Sequence, residues 1–255
     1  MNRKLVVLLG SVGLLLLIIA GLDFAFSGNL KNEEKEYKAS QVTKLVVKDS
    51  NTKVHLRSTT VDELSIKYVE NQRSKYSIEQ NGGELSIRKL TSFQLLTLNF
   101  NAKSYDLVID VPETWTLEVD IVSSNAPIVI EQLATTDLSI KTSNGPILFN
   151  EVNVHTLEVQ TSNGSIEADK LEVADWIQMK TSNGGIRLKD INFENKLSVT
   201  SSNGDLYLSL LGSAQEFQID CKTSNGECRV PTGTQGSKSV DLKTSNGHVN
   251  IDFSK

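Results

Sequence analysis

Apolar and polar positions alternate along the second half of this chain in a block that returns about every twenty residues. Each block carries Thr-Ser-Asn-Gly or a close variant. The asparagines are Asn125, Asn144, Asn163, Asn183, Asn203, Asn225 and Asn246, separated by 19, 19, 20, 20, 22 and 21 residues. Counted from each Asn, apolar residues fall at −6 (Val119, Leu138, Leu157, Ile177, Leu197, Ile219, Val240) and at −4 (Ile121, Ile140, Val159, Met179, Val199, Cys221, Leu242). They fall again at +3 (Ile128, Ile147, Ile166, Ile186, Leu206, Cys228, Val249) and at +5 (Ile130, Phe149, Ala168, Leu188, Leu208, Val230, Ile251). Alternation with period 2 on both sides of a bend predicts two strands with one buried face each. Each block then reads as strand, Ser-Asn-Gly bend, strand and a looser return of about eight residues.

No single block can bury its own apolar face. Stacking blocks at roughly 4.8 Å builds a continuous core and pairs each strand with neighbours above and below. The fold class this predicts is all-β, a parallel β-solenoid (β-helix) of coils of about 20 residues. The same parity sends the residue at −2 inward: Thr142, Thr161, Thr181, Ser201, Thr223 and Thr244. Their hydroxyls are expected to bond from coil to coil or to the turn backbone. The corner Asn is expected to take up a left-handed conformation, followed by a Gly that tolerates it, with the Asn side chains stacked as an amide ladder. At −3 an outward row runs Lys141, Gln160, Lys180, Thr200, Lys222 and Lys243. It reads as a solvated face that discourages sheet aggregation, or as a surface for an anionic polymer.

The front of the chain breaks the pattern. Leu5 to Leu22 is a run of 18 uncharged, mostly apolar residues behind Arg3 and Lys4. As a helix it would span about 27 Å, close to a bilayer core. The expectation is a retained signal anchor, with residues 1–4 cytoplasmic and a single-pass cell-membrane location that puts the C-terminal domain outside the cytoplasm. A cleaved signal peptide is the rival, with Ala25-Phe26-Ser27 a poor cleavage site. Residues 23–42 read as a polar stalk, flexible or as a short helix. Residues 43–111 read as an irregular β capping region of degenerate coils, with a separate small β-sandwich as the alternative, and 112–255 as the regular solenoid. The repeat pattern reappears around Asn51 (Leu45, Val47, Val54, Leu56) and around Gly82 (Tyr76, Ile78, Leu85, Ile87), with further strands expected at Glu63–Val69 and Tyr105–Val111.

Composition adds exclusions. A formal charge of −5 over 255 residues argues against a nucleic-acid partner. The outward residues at +4 include Glu167 and Arg187 on neighbouring coils, which read as an ion pair on a sheet face rather than as catalysts. His55, His155 and His248 occupy different repeat offsets, which disfavours a shared metal site. No phosphate loop, nucleophile elbow or calcium-roll spacing is present. The inward Thr parity also argues against an ice-binding face. Catalytic, cofactor and metal residues are therefore expected to be absent, and no binding residue is assigned. Cys221 and Cys228 both fall on inward positions of one coil, and free buried thiols are favoured over a disulfide.

The stretch Ile109-Asp110-Val111-Pro112-Glu113, then Leu117-Glu118-Val119-Asp120 and Ser124-Asn125, resembles a pattern of the bacterial "putative adhesin" family, domain of unknown function 4097. The resemblance covers roughly 43–253 and implies an extracytoplasmic β-solenoid of envelope proteins in Gram-positive bacteria. Some members are membrane-anchored and encoded with cell-envelope stress operons. The family supplies no catalytic residues to carry over. The expected function is non-enzymatic: adhesion, scaffolding or cell-envelope stress sensing. The partners would be the membrane through the N-terminal helix, an envelope glycan or protein ligand, and a second copy of the chain by self-association. The alternative is a polysaccharide-active β-helix enzyme, which would show a groove with at least two carboxylates on adjacent coils.

Overall fold

The computed structural model describes residues 33–71, 74–91, 106–232 and 235–254. Twenty strands among them join into one wound sheet. Each regular coil has an entry strand before the Asn corner and an exit strand after it. A return segment then leads into the next entry strand. Pairing between coils is parallel and in register with the repeat: Leu138 lies opposite Val119 and Leu157, and Ile166 opposite Ile147 and Ile186. The apolar positions at −6, −4, +3 and +5 line the interior of the stack, with Leu157, Ile166 and Met179 fully buried.

A second corner closes each coil. Gln132, Glu151, Lys170 and Asp190 all have positive φ, between 51° and 56°. They stand at +7 of successive coils and turn the chain from the exit strand into the return segment. The return segment is itself apolar inward, through Leu133, Val152, Leu171 and Ile191. It is thus a third buried face rather than a loose connection.

The coils do not stack in chain order at either end. Along the entry face the spatial order is Glu84–Thr91, Lys44–Lys48, Glu118–Val122, Ala134–Lys141, the second half of Ile147–Gln160, Trp176–Lys180, Lys196–Thr200, Lys238–Lys243 and Phe217–Lys222. At the tail, the last coil of the chain is inserted between the Asn203 coil and the Asn225 coil. At the head, the Asn51 coil lies between the Glu84–Thr91 strand and the Asn125 coil. Antiparallel strands then cover both head edges: Ser74–Asn81 on Glu84–Thr91, and Leu64–Glu70 on Leu107–Pro112.

Glu33–Ala39 is a strand, antiparallel to Leu64–Glu70, not a helix or a flexible stalk. Lys35 pairs with Glu70 at 2.5 Å, Lys38 with Glu63 at 2.9 Å, and Tyr37 packs against the core.

The fold class is corrected in one respect. A transmembrane helix needs about 20 apolar residues in helical form. Leu5–Leu22 lies outside the described residues. Among the described ones no helix is long and apolar enough to cross a membrane, the only helical element being the 3-10 turn Ala214–Glu216. The N-terminal transmembrane helix and the single-pass membrane location that rested on it are withdrawn.

Candidate functional site

The corner shows why Thr-Ser-Asn-Gly repeats. None of the ladder asparagines has positive φ, and neither do the glycines that follow them. The Gly is needed for close approach instead. A Cβ on Gly184 would lie 2.0 Å from the carbonyl oxygen of Gly164, and one on Gly204 would lie 1.9 Å from that of Gly184. The inward hydroxyl at −2 binds in both expected ways at once. Thr181 Oγ1 accepts from Gly184 N at 3.1 Å within its own turn and donates to Gly164 O of the preceding coil at 3.2 Å. Thr161, Thr181, Ser201 and Thr244 are all buried. In the Asn51 coil Asp49 takes this place, accepting from the backbone N–H of Asn51 and Thr52 and from the Tyr76 hydroxyl.

The asparagine side chains form the expected ladder, in spatial rather than chain order. Each Nδ2 donates to the Oδ1 of the preceding coil: Asn125 to Asn51, Asn144 to Asn125, Asn163 to Asn144, Asn183 to Asn163, Asn203 to Asn183, Asn246 to Asn203 and Asn225 to Asn246. All seven distances are 2.6 or 2.7 Å. Each amide between the two end ones, Asn51 and Asn225, keeps one proton and one lone pair free of the ladder. Beside the ladder runs an unbroken serine row: Ser50, Ser124, Ser143, Ser162, Ser182, Ser202, Ser245 and Ser224.

The next outward row on the entry face is the −3 row. Register extends it beyond the sequence reading, to Lys48 and Arg88 at the head. Its spatial order is Arg88, Lys48, Val122, Lys141, Gln160, Lys180, Thr200, Lys243 and Lys222. All of its cations are exposed. Carboxylates on the same face are mostly taken up elsewhere. Lys44 holds Glu118 at 2.5 Å and Asp120 at 3.4 Å, and Lys196 holds Asp241 at 2.7 Å. Asp220 pairs with Lys222 at 2.6 Å and raises its pKa through that hydrogen bond. Lys141 meets Glu158 only at 3.9 Å. Lys48, Lys180 and Lys243 have no carboxylate partner among the described residues.

The residues weighed for chemistry are scattered. Glu167 and Arg187 are register neighbours, as the repeat predicts, but they form no ion pair. Arg187 instead lies over the Tyr207 ring, 5.5 Å from its centroid. His55 Nε2 is 2.7 Å from Glu131 Oε2, His248 Nδ1 accepts from Glu227 N, and His155 is exposed on a return segment. Among the described residues no group of His, Cys, Asp and Glu could hold a metal. Adjacent-coil carboxylates do occur, Glu118 with Asp137 and Asp220 with Asp241. They lie on the outward sheet face, held by lysines or, for Asp137, by the Thr156 hydroxyl. Glu70, Asp110, Glu151 and Glu216 all have pKa values below the ordinary range, the reverse of what a general acid needs. A cleft of about 600 Å³ at the head is lined by Glu34, Lys35, Lys67, Tyr68 and Asp106. Of these, Lys35, Lys67 and Asp106 are already paired, with Glu70, Asp110 and Lys53.

The cysteines correct the sequence expectation. Cys221 and Cys228 form a disulfide, and none is free. Their coil is the outermost of the stack, because the Asn246 coil is inserted beneath it. Among the described residues no strand pairs with its far side, and Cys228 is exposed rather than buried.

The family model described as Toastrack DUF4097 matches residues 42–255. No curated protein sequence matches the chain. Among solved structures, a putative adhesin from Parabacteroides merdae ATCC 43184 is 12% identical, with 89% of this chain and 98% of that one covered and a TM-score of 0.47. A putative lipid binding protein from Parabacteroides distasonis ATCC 8503 is 15% identical, with 89% and 98% covered and a TM-score of 0.47. A putative cell adhesion protein from Clostridium sporogenes ATCC 15579 is 13% identical, with 89% and 100% covered and a TM-score of 0.38. Membership rests on the match across residues 42–255 and not on these distant likenesses. With every coil of the stack inside the matched residues, the chain belongs to the Toastrack DUF4097 family.

Proposed function

We propose that the chain is a non-enzymatic, adhesin-like binding protein that holds an extended polymer along the outward face beside the asparagine corner. Adhesion, scaffolding and cell-envelope stress sensing all need such a binding step, and the reading commits to that step. The observation that carries it is the set of three parallel outward rows: serine hydroxyls and asparagine amides repeated coil after coil, with unspent hydrogen-bonding capacity, beside a lysine-rich row. A ligand that repeats along its own length can meet the same hydroxyl and amide groups at every coil, at intervals of roughly 4.8 Å. A small ligand would gain nothing from the repetition. The acidic residues of this face that lysines hold, Glu118, Asp120, Asp220 and Asp241, favour binding over turnover.

The experiment measures binding and cleavage together. Immobilised envelope polysaccharide is exposed to the protein, bound protein is read by interferometry, and new reducing ends are assayed in the supernatant. Binding without release of reducing ends is expected. Gln160→Trp, in the middle of the cationic row, should weaken binding at least tenfold. Glu167→Trp, on the exit face of the same stack, should leave it within twofold. Release of reducing ends, or equal effects of the two tryptophans, would overturn the reading.

A further inference from the structure

We infer that the polymer is an acidic polysaccharide with one negative charge per disaccharide, read by Lys48, Lys141, Lys180 and Lys243. This rests on the binding face proposed above and names its ligand. In spatial order the interior of the −3 row alternates: Lys48, Val122, Lys141, Gln160, Lys180, Thr200, Lys243. The inserted last coil puts Lys243, which has no carboxylate partner among the described residues, at the end of this alternation in place of Lys222, which Asp220 holds at 2.6 Å. Two coil steps place successive cations about 9.6 Å apart, close to the length of an extended disaccharide. The uncharged positions between them would face the uncharged sugar, and the serine and asparagine rows would meet its hydroxyls.

Charge bookkeeping on the face supports the assignment. The neighbouring carboxylates that could neutralise the row are drawn away by Lys44 and Lys196, and only Lys141 has one near it, at 3.9 Å. A chain of net charge −5 therefore still offers a line of four cations, three of them without a carboxylate partner among the described residues. A polyanion with a charge on every unit would put half of its charges opposite Val122, Gln160 and Thr200. A neutral glycan would leave the cations unused.

The test titrates the protein with three probes: hyaluronan, with a carboxylate on every second sugar; polygalacturonate, with one on every sugar; and a neutral β-1,4-glucan oligomer. Hyaluronan should bind at least tenfold tighter than the other two, and its binding should weaken with salt. The quadruple variant Lys48→Gln, Lys141→Gln, Lys180→Gln, Lys243→Gln should lose that preference. A variant of equal charge change elsewhere, Lys38→Gln, Lys170→Gln, Lys189→Gln, Arg187→Gln, should keep it. All substituted cations are partly or fully exposed, and thermal melts check that both variants fold. Gln160→Lys with Thr200→Lys should move the preference toward polygalacturonate. Equal binding of the neutral oligomer, unaffected by the quadruple variant, would overturn this inference and leave the binding face intact. Equal binding of inorganic polyphosphate would reduce the row to unspecific charge and overturn it as well. Failure of all the polymers to bind would sink the parent reading too.

Discussion

At the scale of single residues, the Gly of each corner gives the sharpest test. Gly184 and Gly185 are adjacent, but only Gly184 faces the backbone of the preceding coil. A Cβ on Gly185 would meet its nearest atom, Asp205 O, at 3.4 Å, an ordinary contact. Gly184→Ala should therefore destabilise by about 2 kcal/mol or more, as overpacking does, while Gly185→Ala should stay within about 0.5 kcal/mol. Equal melts for the two would refute the close-approach account. Ser123 makes the opposite point. It stands at −2 in the Asn125 coil, is buried, and its hydroxyl has no partner. Removing an unsatisfied buried hydroxyl should cost nothing, so Ser123→Ala is expected to be neutral or stabilising. Thr181→Ala, which breaks two bonds, should cost about 1–2 kcal/mol. The identity of these residues was legible in the sequence. The reason for the Gly was not, because close approach between coils depends on a stacking distance that no single repeat reveals.

At the scale of elements, the antiparallel strands at the head are tied by buried carboxylates. Burial pushes the Asp110 carboxyl up, but hydrogen bonds from Arg57 at 2.6 Å and Lys67 at 3.0 Å outweigh it and hold its pKa low. Glu70 is balanced in the same way. Burial raises it, while Lys35 and the Tyr76 backbone N–H bring it down further. A carboxylate whose folded pKa lies below its unfolded one stabilises fully above the ordinary values of 3.8 and 4.5. That contribution fades as pH falls through the folded values. Thermal melts from pH 6 downward should show the head losing stability below about pH 4.5, and Asp110→Asn should flatten that slope. An unchanged slope would mean that the pairs do not hold the strands. The entry and exit strands were legible from their period-2 pattern. The return strand was not, because a polar residue of positive φ at +7 interrupts the alternation. The signal was present in the constant spacing of Gln132, Glu151, Lys170 and Asp190 ahead of Leu133, Val152, Leu171 and Ile191.

At the scale of the molecule, the stack behaves as a one-dimensional array in which each coil rests on its neighbours. Ile166→Asp, in the middle, should unfold it by burying an unpaired charge. The tail is secured differently. Its outermost coil lacks the apolar exit strand of the others and carries the Cys221–Cys228 bridge instead. Cys221→Ser with Cys228→Ser should raise amide exchange in the Asn225 coil and leave the Asn163 coil protected. Uniform loss of protection would show a fully cooperative array. The coil order at both ends could not be read from the repeat, since every coil carries the same corner and the pattern does not say which neighbour it meets. The order decides which lysine follows Thr200 on the outward face, the unpartnered Lys243 rather than Lys222, which Asp220 holds.

The most direct measurement is affinity against ligand length. The row from Lys48 to Lys243 spans six coil steps, about 29 Å. Oligosaccharides cut from the bound polymer should gain affinity with each added disaccharide until roughly that span is filled, and then level off. Affinity already complete with a single disaccharide would locate binding in a local pocket and contradict the extended face.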